Sequence, residues 1–170
     1  MKFTTLLAPL ALIGTALADS KSIVGALTTV DDTTVKLGSA VAKWKGDILG
    51  TLPIVAESTA LLVQVNKGTK TAKDSAALDF TGTIEVATAT NKLVADVNAT
   101  MTALIGAKKK FDKLLMSPLI FVNLGLQRKA TAEMSAAIIA KVPADLQALA
   151  QNLVAPIDKS FELALAAFHF

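Results

Sequence analysis

The chain has 170 residues, 52% of them apolar and only 5% aromatic, and carries a formal net charge of +3. It lacks Cys and Tyr, and its one His is the penultimate residue, which excludes disulfides, thiolate nucleophiles, iron–sulfur clusters and Cys-based zinc sites. Histidine catalysis and a multi-His metal site are equally unsupported, no cofactor is implied, and the charge excess is too small to argue for nucleic acid.

Residues 1–18, MKFTTLLAPLALIGTALA, read as a secretory signal. Lys2 supplies the basic start, Phe3 to Leu17 the apolar stretch, and Ala16-Leu17-Ala18 the small-residue cleavage pattern. The run is shorter than the about 20 residues of a spanning helix, and Thr4, Thr5 and Thr15 interrupt it. No later segment is long and apolar enough to span; Leu114 to Leu126 comes closest, with Ser117, Pro118 and Asn123 inside it. The remaining residues, 19–170, form one domain, expected to be secreted and extracellular or associated with the cell wall.

That domain reads as helix throughout. Ile23, Leu27, Val30, Thr34, Leu37, Val41 and Trp44 recur in steps of four and three, with Asp31, Asp32, Lys36 and Lys43 on the solvated side. Gly46 and Gly50 interrupt, and Thr51-Leu52-Pro53 restarts a second helix, which is expected to stop at Asn66-Lys67-Gly68. The polar stretch Thr69 to Ser75 reads as a loop. A third helix is expected from about Ala76 to Leu115, with Phe80, Ile84, Ala87, Asn91, Val94, Val97, Met101, Leu104, Lys108 and Phe111 on its core stripe. Ser117-Pro118 marks a fourth start, with Ser117 as cap. Its stripe is Leu119, Val122, Leu126, Ala130, Met134, Ala137, Ile138 and Lys141. Val142-Pro143 ends it, and a fifth helix runs from about Ala144 to Phe168 through Leu146, Leu149, Leu153, Ile157, Phe161 and Ala164. Pro156 lies inside and removes one backbone hydrogen bond. The fold class is all-α, an antiparallel bundle of about five helices.

Little here carries reaction chemistry. His169 sits at a chain end with no fixed neighbours, and Asp31-Asp32 reads as a solvated face rather than an acid–base dyad. Lys108-Lys109-Lys110 with Lys113 is the densest charge cluster, a solvated helix end or an attraction for an anionic head group. Asn98-Ala99-Thr100 is an N-glycosylation pattern placed mid-helix. Polar residues recur on or beside the apolar faces: Thr34, Ser58, Thr81, Thr88, Asn91, Asn123, Gln127 and Ser135. Each either bonds a neighbouring helix or backbone carbonyl, or lines a cavity and holds the polar end of an apolar ligand. Leu114 to Leu126, apolar almost all round, reads as the start of a central core helix or as a face turned to something other than water.

Three features together carry a resemblance. They are the Ile23-to-Trp44 helix with its Trp44-Lys45-Gly46 end directly after the signal, the Thr/Ala-rich run Thr88 to Leu104 leading into Lys109-Lys110-Phe111, and a last helix ending Phe161-Glu162-Leu163-Ala164-Leu165-Ala166-Ala167-Phe168. The chain resembles the fungal family of hydrophobic surface-binding protein A and the related cell-wall galactomannoprotein antigens. The resemblance implies two non-catalytic activities. One is enclosure of a long-chain fatty acid or similar lipid in a helical-bundle cavity. The other is adsorption to hydrophobic surfaces with recruitment of a secreted hydrolase. Lipid enclosure is the preferred expectation. Helical-face reasoning then offers Leu104, Phe111, Leu115, Phe121, Leu126, Met134, Ile138, Leu153, Ile157 and Phe161 for the tail, and Ser58, Asn91, Asn123, Gln127 and Ser135, or a lysine at the mouth, for the polar end.

Overall fold

A computed structural model of the chain describes residues 10–169, with side chains from Asp19 onward. The expected signal at residues 1–18 lies outside the residues whose side chains are described. Six α-helices follow one another: α1 Leu10–Lys43, α2 Thr51–Asp74, α3 Phe80–Gly106, the short α4 Lys108–Lys113, α5 Ser117–Ile139 and α6 Gln147–Phe168. A 3-10 turn at Ala144–Leu146 leads into α6. No strand occurs among the described residues.

Local chemistry accounts for most of the ends. Gly46 takes φ 97°, a left-handed turn that reverses the chain after α1. Asp79 caps α3, its carboxylate accepting the Gly82 N–H at 2.7 Å, so α3 begins at Phe80 rather than Ala76. Ser117 does not cap α5; Met116 holds the cap position, and the Ser117 hydroxyl donates to Asp112 Oδ1 at 2.5 Å. The expected stop of α2 at Gly68 is also corrected. The helix runs six residues further because Gly68 is a packing position: a Cβ there would lie 2.6 Å from Met134 Cε of α5. Thr69, expected in a loop, folds its hydroxyl back onto the Val65 carbonyl at 3.0 Å.

The five long helices close a ring in the order α1, α2, α5, α6, α3 and back to α1. Successive long helices alternate in direction, but neighbours across the ring include parallel pairs. Along the α1/α3 seam, Ser20 donates to Glu85 (2.9 Å), Lys92 pairs with Asp31, and Thr100 donates to the Thr34 carbonyl (3.1 Å), so the numbers rise together. Along α2/α5, Ser58 donates to Asn123 (2.6 Å) and Lys141 to the Lys73 carbonyl (2.9 Å), again in step. Each helix therefore has two flanks to bury, and its covered face is broad.

This breadth explains Asp31. Expected on the solvated side, it is buried in the α1/α3 seam, while Asp32 stays exposed. Burial pushes the Asp31 carboxyl up from its ordinary range despite the Lys92 ammonium beside it. Its Oδ1 finds no hydrogen-bond partner among the described residues. Lys92 also reaches Asp96 at 2.9 Å and is held protonated by both carboxylates.

The two ends of the ring are filled differently. Where α1 and α3 finish, Trp44, Phe111 and Phe168 cluster, the Trp44 and Phe111 rings tilted with centroids 4.4 Å apart and Phe168 edge-on to Phe111 at 5.9 Å, and Phe111 is wholly buried. Rings of this size displace water efficiently and pack densely. At the other end aliphatic side chains meet incompletely and leave a hollow.

Candidate functional site

The hollow has a volume of about 580 Å³. Its walls come from five helices: Leu27 and Val30 of α1, Val65 of α2, Phe80 to Leu93 of α3, Thr131 to Ile139 of α5, and Leu149 to Ile157 of α6, with Val142 and Leu146 from the link before α6. No side chain lining it carries a charge. Along α6 alone the wall from Leu149 to Ile157 is roughly 12 Å long at 1.5 Å per residue, and Leu146 extends it, so a hydrocarbon chain can run beside it. Phe80 and Leu149, 65% and 68% exposed, stand with Ile84 where the hollow opens between α3 and α6.

The polar groups on this wall fall into two kinds. Thr83 and Thr90 turn their hydroxyls back to carbonyls of their own helix, at 2.8 Å in both cases. The side chains of Asn91, Thr131, Ser135 and Asn152 donate to and accept from no other described residue. Four neutral groups with free hydrogen-bonding capacity, Asn91 and Asn152 exposed and Thr131 and Ser135 half-buried, on a largely apolar wall suit a ligand with a long apolar body and one polar end. A second hollow of about 490 Å³ lies along the α5/α6 seam and shares Thr131, Ser135, Ile139, Val154 and Ile157 with the first. Arg128 stands on it, engaged by Asp158 at 2.6 and 2.8 Å and by Glu162 at 3.0 Å.

Of the residues expected to touch a lipid tail, the chamber brings together Met134, Ile138, Leu153 and Ile157. Phe161 lines the second hollow. Leu104 stands on a separate hollow of about 70 Å³ in the densely packed half. Phe111 belongs to the aromatic cluster, and Phe121 meets the His169 ring at 5.8 Å. Leu115 and Leu126 are exposed and line none of these hollows. Leu126 points outward because Ile120, Leu124, Gln127 and Ala130 form the inward face of α5, one step round from the expected stripe.

Among the expected polar-end residues, Asn91 and Ser135 line the chamber. Ser58, Asn123 and Gln127 instead meet one another beside the small hollow, where Gln127 Nε2 donates to the Ser58 carbonyl at 2.7 Å. The lysine cluster is at the far end of the bundle: Lys110 donates to the Trp44 carbonyl at 2.5 Å and Lys108 pairs with Asp112. No lysine therefore stands at the mouth of the chamber, because α4 lies beyond the aromatic plug. Asn98 is exposed, but Thr100 of its glycosylation pattern is buried against α1. Sequence reasoning passed over Thr131 and Asn152, which belong to no apolar stripe, and treated the mouth residues Phe80, Ile84 and Leu149 as ordinary core.

The family model described as hydrophobic surface binding protein A matches residues 20–140, from α1 to the end of α5. The chain belongs to that family. This family member is also 27% identical over 173 residues to cell wall mannoprotein 1 of Aspergillus fumigatus, covering 99% of this chain. It spans 60% of the length of that relative. Several solved structures share its fold. A crystal structure of AfMp4p in complex with palmitic acid matches with TM-score 0.85 at 23% identity, covering 88% of this chain and 99% of that one. Ligand binding domain 1 of the Penicillium marneffei MP1 protein, complexed with arachidonic acids, matches with TM-score 0.85 at 15% identity, covering 89% and 99%. Among the described residues no helix is long and apolar enough to cross a membrane, and no cluster of His, Asp and Glu is arranged to hold a metal ion.

Proposed function

We propose that this family member is an exported, non-catalytic carrier that encloses a long-chain fatty acid or a similar lipid in the chamber between α1, α2, α3, α5 and α6. The observation that carries this reading is the uncharged, aliphatic 580 Å³ hollow with its unpartnered polar groups. Palmitic and arachidonic acids in the structures of the same fold support the ligand class, and likeness to a cell wall mannoprotein supports a place outside the cell. Met134, Ile138, Leu153 and Ile157 would meet the tail; Asn91 or Ser135 would meet the polar end. Each methylene removed from water contributes about 0.8 kcal/mol, so a long tail outweighs the ordering cost of capture.

The lack of a cation on the wall makes the reading specific. Palmitate titrated into the delipidated protein should saturate one population of sites. Affinity should rise roughly fourfold per added methylene from decanoate upward. Hexadecanol should bind within a few-fold of palmitate, since no charge on the wall favours a carboxylate. Absence of saturable uptake would overturn the carrier reading.

A second reading has its own observation. Ile48, Leu49, Leu52, Leu115, Leu119 and Val122 are all more than half exposed at the end opposite the chamber mouth. Aliphatic exposure on this scale at one end marks a surface made to meet something other than water, which supports adsorption to hydrophobic surfaces. Recruitment of a hydrolase by the adsorbed protein would use the charged outer faces that remain.

A further inference from the structure

We infer that the plugged end of the bundle docks on anionic lipid–water interfaces, with aliphatic prongs entering the acyl layer and lysines meeting the phosphates around them. The inference rests on the surface reading above and adds to it the chemistry of the partner.

Three observations meet at this end. The first is the aliphatic crown: Ile48 and Leu49 in the turn before α2, Leu52 in its first turn, Leu115 in the turn before α5, and Leu119 and Val122 on α5. The α2 and α5 parts adjoin, because Val55 and Leu119 flank the same small hollow. The turn before α2 adjoins α4, since Lys110 donates to the Trp44 carbonyl and the Trp44 and Phe111 rings meet.

The second is backbone strain. Leu115 has φ 56°, the one non-Gly residue with positive φ among the described residues, and its side chain is 87% exposed. A branched side chain is disfavoured in that region, where Gly or Asn is the usual occupant. Folding alone gives no return for holding an exposed leucine there, whereas insertion into an apolar layer does.

The third is charge. Lys43 and Lys45 at the end of α1 and Lys108, Lys109, Lys110 and Lys113 on α4 belong to the elements that carry or adjoin the crown, against Asp47, Glu57 and Asp112. Asp112 is taken by Lys108 and Ser117, and Asp47 accepts the Gly50 N–H at 2.8 Å. Lys43, Lys45, Lys109 and Lys113 pair with no carboxylate among the described residues. A bare hydrophobic solid offers nothing to these ammonium groups. A bilayer with anionic head groups offers chains to the centre and phosphates to the rim.

The test is flotation of the full-length mature protein with vesicles of phosphatidylcholine alone and with 30% phosphatidylglycerol, beside adsorption to uncharged octyl-coated beads. Anionic vesicles should bind at least about tenfold more strongly than neutral ones, with the difference lost in 0.5 M salt. Lys109→Gln with Lys113→Gln should cut anionic-vesicle binding several-fold and leave bead adsorption unchanged. Leu49→Asp with Leu115→Asp should abolish both while palmitate uptake, the check on folding, persists. Equal binding to both vesicle types, or none, would overturn the inference; bead adsorption retained in that case leaves the surface reading standing, and its loss removes both.

Discussion

Ala87→Trp and Ala150→Trp are each expected to lower palmitate affinity at least tenfold, about 1.4 kcal/mol, while the bundle stays folded. Both alanines are half-buried on the chamber wall, from α3 and α6 respectively. An indole at either site points into space that is already empty, so it displaces ligand rather than packed side chains. In a dry core the same change would overpack and destabilise by about 1–3 kcal/mol. The discriminating result is therefore a pair of measurements: thermal midpoint within a few degrees of the parent, and uptake of palmitate strongly reduced. A variant that unfolds, or that binds palmitate as before, would contradict the placement of the site.

Phe111→Ala is expected to do the reverse. The ring is wholly buried between Trp44 and Phe168. Truncation at such a site costs about 3–5 kcal/mol, a large share of the stability of a domain this size. Urea unfolding should show the midpoint falling with little change in slope. Palmitate affinity, measured where the variant is still folded, should stay within about threefold, because Phe111 lines no part of the chamber. A loss below 1 kcal/mol would mean that the aromatic cluster does not anchor the plugged end. A specific loss of palmitate binding would mean that the two ends are coupled.

These two changes correspond to a division of the fold that the sequence reveals only partly. Helix starts were readable because their chemistry is local: Pro53, Pro118 and Pro143 lie at or near element boundaries, as does the turn at Gly46. Gly68 misled because a glycine that ends a helix and one that admits Met134 look alike in sequence. Faces were harder. In α5, Leu119, Val122 and Leu126 compete with Ile120 and Leu124 for the core, and periodicity cannot rank two apolar faces. In α3, Phe80 and Ile84 form a good apolar stripe, but they stand at an opening instead of in the core. Asp31 was placed in water because a single-stripe picture of α1 gives it one neighbour, whereas the ring gives it two.

The chamber was least legible of all. Met134, Ile138, Leu153 and Ile157 were singled out together with Leu104, Phe111 and Leu126, and nothing in the spacing separates a residue facing a hollow from one facing another side chain. The separation arises from residue size summed over five helices: rings gather at one end, while alanine, threonine and serine on facing helices leave the other underfilled. The same blindness hid the separation of the lysine cluster from the mouth, because Lys108 to Lys113 sit on a short helix whose placement depends on the Trp44–Phe111 contact.

Native mass spectrometry of the mature protein secreted from a eukaryotic host, followed by solvent extraction and lipid identification, tests the central claim most directly. The account predicts a stoichiometric mass increment that solvent removes and that is identified as a long-chain fatty acid or related lipid, and its absence in Ala150→Trp. A protein that emerges empty, and stays empty after incubation with palmitate, would contradict it.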